Sequence, residues 1–298
     1  MTASLTLAMP TAEKAGPVLI VEYTDPYSVW CWGCEPALRR LAYRYPDGVE
    51  IRYVMGGLFE DFRPMREYWS RMSGGRWKEA VHTFLAAVAG QHGMPIHVDA
   101  MMDSLEDFTS TWPACIAVSG ASLQGREAER VYLRRLREAV LVEGRDIGDR
   151  EVQLAVSAQA GIDAGALARA LEDTSALAAF RKDLTECRLR GVTGFPSFDV
   201  GSVEASVRLD GYRSWEAMED ELRPFAPHLK PRETPPTGPG ARDVLRHFGR
   251  CATREVAAVL GIPDDDAEIL LEDLESEGRV RRLEFGPAVM WDTSGKSE

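Results

Sequence analysis

The sequence predicts an α/β fold with a large all-helical insertion, followed by a small C-terminal unit. Three observations carry this reading. Two apolar, β-rich runs near residues 18–23 and 49–55 flank a helical pattern. Residues of about 60–190 then show helical periodicity with few strand signals. Beyond Pro196 two short strand-like runs and a helix close the unit, and a Pro/Gly-rich stretch leads to a further set of short helices and a hairpin.

Val18 to Tyr23 is the first strand. Ser28 is suited to cap the first helix, where Leu38, Leu41 and Tyr45 recur three to four apart. That helix runs to about Tyr43, and Tyr45-Pro46-Asp47-Gly48 is a turn. Val49 to Met55 alternates as a second strand, ended by Gly56-Gly57. Trp69, Met72, Trp77, Val81, Phe84, Leu85 and Val88 fit a helical unit broken at Gly74-Gly75. Pro113 stands in the first turn of another helix. From Arg126 to Val142, Val131, Leu133, Leu136, Val140 and Leu141 line one side, with Arg134, Arg135, Arg137 and Glu138 largely opposite. Asp149 caps a helix reaching Gln159; residues 163–171 and 175–190 are two more. Phe198 and Val200 continue a strand, residues 206–209 pair back on it, and residues 215–225 form the closing helix.

Residues 229–240 read as a linker stiffened by prolines. From 241 to 298 the pattern is three short helices and a hairpin, winged-helix-like. Thr253 caps the second helix; Ile269, Leu270 and Leu274 point inward on the third. That third helix carries Asp264, Asp265, Asp266, Glu268, Glu272, Asp273, Glu275 and Glu277, which would repel phosphates, so a protein contact rather than a nucleic acid is expected there.

Of 298 residues 45% are hydrophobic, enough for a sizeable core. The formal net charge of −12 argues against non-specific binding to nucleic acid or an anionic membrane. No apolar run is long enough for a membrane span. Residues 1–16 lack a positive region and a long apolar core and read as a disordered leader. Five cysteines with one close pair fit a reducing cytoplasm. The histidines 82, 92, 97, 228 and 247 are scattered, with His92 and His97 in one loop; no metal site and no cofactor are expected.

The chemistry centres on the stretch from Tyr23 to Pro36. A strand ends, a loop turns, and a helix begins that carries Cys31-Trp32-Gly33-Cys34 near its start. A cysteine there feels the helix dipole and unpaired N–H groups, which favour a thiolate. Such a Cys-x-x-Cys after a strand reads as a thioredoxin-like redox motif. Glu22, on the first strand, either relays protons from a buried thiol or faces solvent. Cys115, Cys187 and Cys251 read as buried small hydrophobes. Far downstream, Pro196 opens a strand after Gly191-Val192-Thr193-Gly194-Phe195, a candidate cis-proline.

Together these segments resemble the DsbA family of thioredoxin-fold proteins, and within it the cytoplasmic branch of FrnE-type oxidoreductases and Spx-adapter proteins. The matches are Asp25-Pro26, Trp30-Cys31-Trp32, Met55-Gly56-Gly57-Leu58 and Gly191 to Pro196, across roughly residues 17–228. The resemblance implies a thioredoxin fold and client protein thiols or peptides as partners. It implies a substrate groove at Thr193, Gly194, Phe195 and Pro196, with Trp30 or Trp32 as its apolar floor. It also exposes a departure: the family's first cysteine lies three residues after the Asp, and here that position is Ser28. Pro36, eight residues beyond Ser28, supports this register, which makes Cys31 the second cysteine and Cys34 an extra one. The other register takes Cys31 as nucleophile after a longer loop. Two functions stay open: a thiol–disulfide oxidoreductase or isomerase using Cys31 and Cys34, weakened by Ser28, and a redox-inactive adapter whose acidic C-terminal unit contacts a protein.

Overall fold

A computed structural model describes residues 16–202, 205–227 and 229–294. Nearly all of the leader, and His228, lie outside the described residues. The chain opens with β1 (Val18–Thr24), α1 (Val29–Arg44) and β2 (Val49–Met55). The helical insertion follows: α2 (Arg63–Met72), α3 (Trp77–His92), α4 (Val98–Ser104), α5 (Trp112–Ser122), α6 (Arg126–Leu141), α7 (Arg150–Gln159), α8 (Ala164–Glu172) and α9 (Ser175–Leu189). Then come β3 (Ser197–Gly201), β4 (Ser206–Asp210) and α10 (Trp215–Leu222). The C-terminal unit is α11 (Gly238–Phe248), α12 (Thr253–Leu260), α13 (Asp264–Ser276), β5 (Val280–Phe285) and β6 (Ala288–Thr293).

The main sheet has the order β2-β1-β3-β4, with β1 and β2 parallel and the other pairs antiparallel. Alternation along β1 assigns its two faces. Leu19, Val21 and Tyr23 cluster with Val54 and with Cys187, Val192 and Phe195 at and beyond the end of α9. Val18 and Ile20 face the larger core, with Trp32, Leu38 and Leu41 of α1 and Leu133, Leu136 and Val140 of α6. Glu22 falls on this second face and is fully buried, so the solvent-facing alternative for it is excluded.

The amphipathic reading of α6 needs a larger correction. Arg134 and Glu138 are buried and Arg137 is 0% exposed. The polar side of α6 is a second packing surface, because carboxylates from β1, α1 and α12 meet it: Glu22 and Glu35 bind Arg137, and Glu255 binds Arg134. Burying so many charges is tolerated only when each is paired and hydrogen-bonded.

The C-terminal unit docks along α1 through α12. Arg39 Nη1 donates to Arg250 O at 3.1 Å, and Arg40 Nη1 to Ala258 O at 2.5 Å. The linker ends earlier than predicted: Thr237 caps α11 through Gly240 N, with Pro239 in the first turn, where its missing N–H costs nothing. Thr253 is not the cap of α12. Ala252 holds that position, Glu255 Oε2 accepts from its N–H at 2.8 Å, and Thr253 Oγ1 accepts from Trp291 Nε1. Ile269 points outward, 57% exposed, while Ala267, Leu271 and Leu274 form the inner stripe of α13.

Candidate functional site

Asp25 fixes the loop before α1. Its Oδ1 accepts from Tyr27 N at 2.9 Å, and its Oδ2 from Leu58 N at 2.7 Å, Thr111 Oγ1 at 2.6 Å and Cys115 Sγ at 3.2 Å. Burial raises its pKa against these bonds. The Asp25-Pro26 and Met55-Gly56-Gly57-Leu58 motifs are thereby tied to each other and to α5. Ser28 then caps α1, in extended backbone, with Oγ accepting from Cys31 N at 3.2 Å.

Cys31 and Cys34 are unlinked and 0% exposed. Burial pushes the Cys31 thiol up to about 12, and the Glu22 charge adds to the rise; Arg137 and hydrogen bonds with Ser28 and Thr24 oppose it. Cys34 Sγ lies 3.9 Å from Arg213 O, and burial holds its pKa well above the ordinary thiol value. Raised this far by burial, Cys31 is held as the thiol rather than the thiolate at neutral pH.

Beneath the thiols runs a buried chain of charges. Burial raises Glu22 to about 7 despite the Arg137 guanidinium, whose Nη2 is 3.3 Å away. Thr24 Oγ1 donates to Glu22 Oε1 at 3.0 Å. Arg137 Nη1 binds Glu35 Oε1 at 2.5 Å. Glu35 is buried too, yet Arg134, Arg137 and Arg39 hold its carboxyl below the usual range. Arg134 continues the chain with two 2.9 Å bonds to Glu255, and its guanidinium lies 4.3 Å above the Trp32 ring. Arg39 Nε closes on Glu255 Oε1 at 3.0 Å.

The predicted groove is only partly assembled. Trp32 is 0% exposed, with Nε1 donating to Pro95 O at 2.9 Å, so it belongs to the core and gives a client no surface. Trp30 is half-buried and stands beside Tyr212 at 6.0 Å and His92 at 6.2 Å between ring centroids. His92 ends α3 rather than lying in a loop. It is buried, accepts from Met94 N through Nδ1, and burial lowers its pKa to about 4, so it is neutral with its proton on Nε2. Gly33 is required under this ring: a Cβ there would meet His92 Cδ2 at 2.6 Å.

The register Tyr23↔Ser197 sets Pro196 beside Thr24, at the end of β1 where the loop to Ser28 begins. The Phe195–Pro196 peptide is cis. Thr193 and Gly194 are exposed, while Phe195 is half-buried over Gly56, where a Cβ would overlap its ring. The structure thus brings together Ser28, Cys31, Cys34, Trp30 and the strand-entry loop, and removes Trp32 from the surface. The sequence reading missed Tyr212, Glu35, Arg137 and Glu255. For two of them a signal existed: Glu35 follows the apolar start of α1, and Glu255 stands at the start of a largely apolar α12, whereas Arg137 is one of many charges on α6 and Tyr212 lies in a loop.

The family model described as Thioredoxin matches residues 22–220. The ClpXP adapter protein SpxH of Shouchella clausii is 27% identical over 278 residues, 92% of this chain and 88% of that one. A putative protein disulfide isomerase from Nitrosomonas europaea superposes with a TM-score of 0.58 at 19% identity, covering 71% of this chain and 98% of the other. A probable DsbA oxidoreductase from Streptomyces coelicolor does so with a TM-score of 0.56 at 19% identity, covering 72% and 92%. At these identities the two solved structures speak for the fold alone. Among the described residues no helix is long and apolar enough to cross a membrane.

Proposed function

The chain belongs to the thioredoxin family, and from that membership we propose that it works as a protein-binding adapter of the cytoplasm, holding a client on its thioredoxin scaffold rather than exchanging disulfides with it. One observation carries this reading. The helix N-terminus, where an attacking thiol would gain most from the dipole, holds Ser28, and both nearby thiols are buried with raised pKa values. Two further facts support it. The likeness to the adapter relative spans 92% of the chain, too much to leave out the C-terminal unit, whereas the disulfide-enzyme structures account for 71–72%. That unit is also fastened to α1 and to α6 by buried ion pairs from Arg39 and Arg134 to Glu255, as part of one scaffold.

In this reading the half-buried Trp30 and Tyr212 and the open backbone at Thr193 and Gly194 receive a client segment by β-type pairing and apolar contact. A protease complex of the ClpXP kind is the proposed recipient. The test is degradation of a candidate client by ClpXP with and without this protein, run beside insulin reduction. Accelerated degradation without insulin reduction supports the adapter; rapid insulin reduction without accelerated degradation overturns it. Oxidoreductase action is the second reading. What favours it is Glu22, a buried carboxyl raised to about 7 under Cys31, able to exchange a proton at neutral pH.

A further inference from the structure

Most arginines among the described residues form ion pairs, but Arg181 on α9 and Arg190 at its end are among those that do not, and Lys182 beside them forms none either. Along α9, Arg181, Lys182, Thr185, Glu186, Leu189 and Arg190 line an open depression of about 630 Å³. Arg181, Lys182 and Arg190 are exposed, and no carboxylate among the described residues forms an ion pair with them. The one acid in the depression, Glu186, is already taken by Arg52. Asp199, within reach of the Arg190 field, is already held by Arg208. Leu189 stands in the middle with 83% of its surface exposed. In a chain of net charge −12, three uncompensated cations around one bare aliphatic side chain form a local reversal of the overall field.

The stripe is rigidly joined to the strand-entry loop. Gly191 adopts φ 68°, Gly191 N donates to Arg188 O at 3.1 Å, and Val192 N to Cys187 O at 2.9 Å. This is a Schellman motif, with Val192 packed against the cluster of Val21, Tyr23, Val54 and Cys187. The helix end, the turn and the exposed Thr193-Gly194 therefore present one continuous surface.

We propose that α9 is the charged half of the client site, and that it binds an acidic, extended client segment carrying an aliphatic residue. Its carboxylates pair with Arg181, Lys182 and Arg190, the aliphatic side chain covers Leu189, and the chain continues onto Thr193-Gly194. The inference rests on the adapter reading for calling the ligand a client. The occupant follows from charge: an acidic segment is complementary to this stripe, and a basic segment is repelled by it.

The probe is a fluorescein-labelled, glutamate-rich peptide with one central leucine, followed by anisotropy, with its glutamine counterpart as control. The acidic peptide should bind the full chain and weaken steeply with added salt. The triple variant Arg181→Glu, Lys182→Glu, Arg190→Glu should lose roughly tenfold or more in affinity. A Leu189→Ser variant, which leaves charge unchanged, should weaken binding of the leucine-bearing peptide. Equal affinity for the glutamine peptide, or an unaffected triple variant of native thermal stability, overturns the proposal. So does salt-sensitive self-association in sedimentation that the triple variant abolishes, since the acidic α13 of a second copy would then be the occupant. Peptide binding that persists with no effect on ClpXP degradation upholds the stripe and counts against the adapter role, so the two readings fail separately.

Discussion

Arg134 and Glu255 join by two parallel 2.9 Å hydrogen bonds in the interior, 121 residues apart in sequence. The guanidinium comes from α6 of the insertion and the carboxylate from α12 of the C-terminal unit. A bidentate pair of this kind fixes orientation as well as distance. Because Glu255 also caps its own helix and binds Arg39, it is the pivot on which the C-terminal unit sits.

Glu255→Gln should therefore destabilise the protein by about 3 kcal/mol or more, since Arg39 and Arg134 would be left buried against a neutral amide. Urea unfolding measures the loss. Limited proteolysis adds a local readout: cleavage between α10 and α11 should quicken more than cleavage within α6. A loss under about 1 kcal/mol would place the docking energy in the apolar contacts of α12 instead.

Glu22 makes stability depend on pH with an unusual sign. Its pKa is raised from the ordinary 4.5 to about 7 by burial. A raised value means the folded state holds the proton more tightly, so this contribution is full below about pH 4.5 and is lost as pH rises through about 7. The loss is on the order of 3 kcal/mol. Glu22→Gln has no such term. Relative to the native chain, the variant should gain stability between about pH 5 and pH 8, and a pH-independent difference would show that Arg137 keeps Glu22 ionised throughout.

Gly33 lies against the His92 ring with no room for a methyl group. Gly33→Ala, although a better helix former, should cost about 1–3 kcal/mol by overpacking. It should also shift Trp30, which contacts the same ring. Thermal unfolding and Trp fluorescence report the two effects. A stabilised variant would mean that α1 and α3 separate easily at this contact.

The strands, the order of the helices and the Ser28 cap were legible because each rests on a local signal: a β-rich run, a 3.6-residue period, a hydroxyl at a helix start. What was not legible is long-range. Arg137 meets partners 102 and 115 residues away, and a polar helix face reads as solvated unless those partners are known. Trp30 and Trp32 look equivalent in sequence; only the helix phase and Pro95 decide that Trp32 is fully buried while Trp30 stays half-buried at the core's edge. Thr253 looks like a cap from its hydroxyl alone, but Ala252 takes that place because Glu255 caps in reverse, from inside the helix.

The last prediction concerns Ser28, at the N-cap of α1 with its Oγ 3.2 Å from Cys31 N. A serine hydroxyl has no appreciable alkoxide at neutral pH and cannot displace sulfur from a disulfide. Cys31 sits deeper, with its pKa pushed up to about 12 by burial, and Cys34 lies a turn further in. The native chain should therefore reduce insulin only weakly in the presence of dithiothreitol. Ser28→Cys puts a thiol where the dipole and the N–H of Cys31 favour its thiolate. That thiolate attacks a disulfide sulfur and forms a mixed disulfide. Cys31 then displaces the client thiol by closing a disulfide with the introduced sulfur, and dithiothreitol reduces that disulfide again. Turnover should rise by roughly tenfold or more, following the larger thiolate fraction. Cys31→Ala in that background should abolish the gain by removing the resolving thiol, while Cys34→Ala should leave most of it. The substitution also gives up part of the cap, about 1 kcal/mol, so activity is read well below the unfolding transition. If the native chain already reduces insulin rapidly and Cys34→Ala abolishes that, then Cys31 and Cys34 are the redox pair, Ser28 is only a cap, and the register that puts Ser28 at the nucleophile position is wrong.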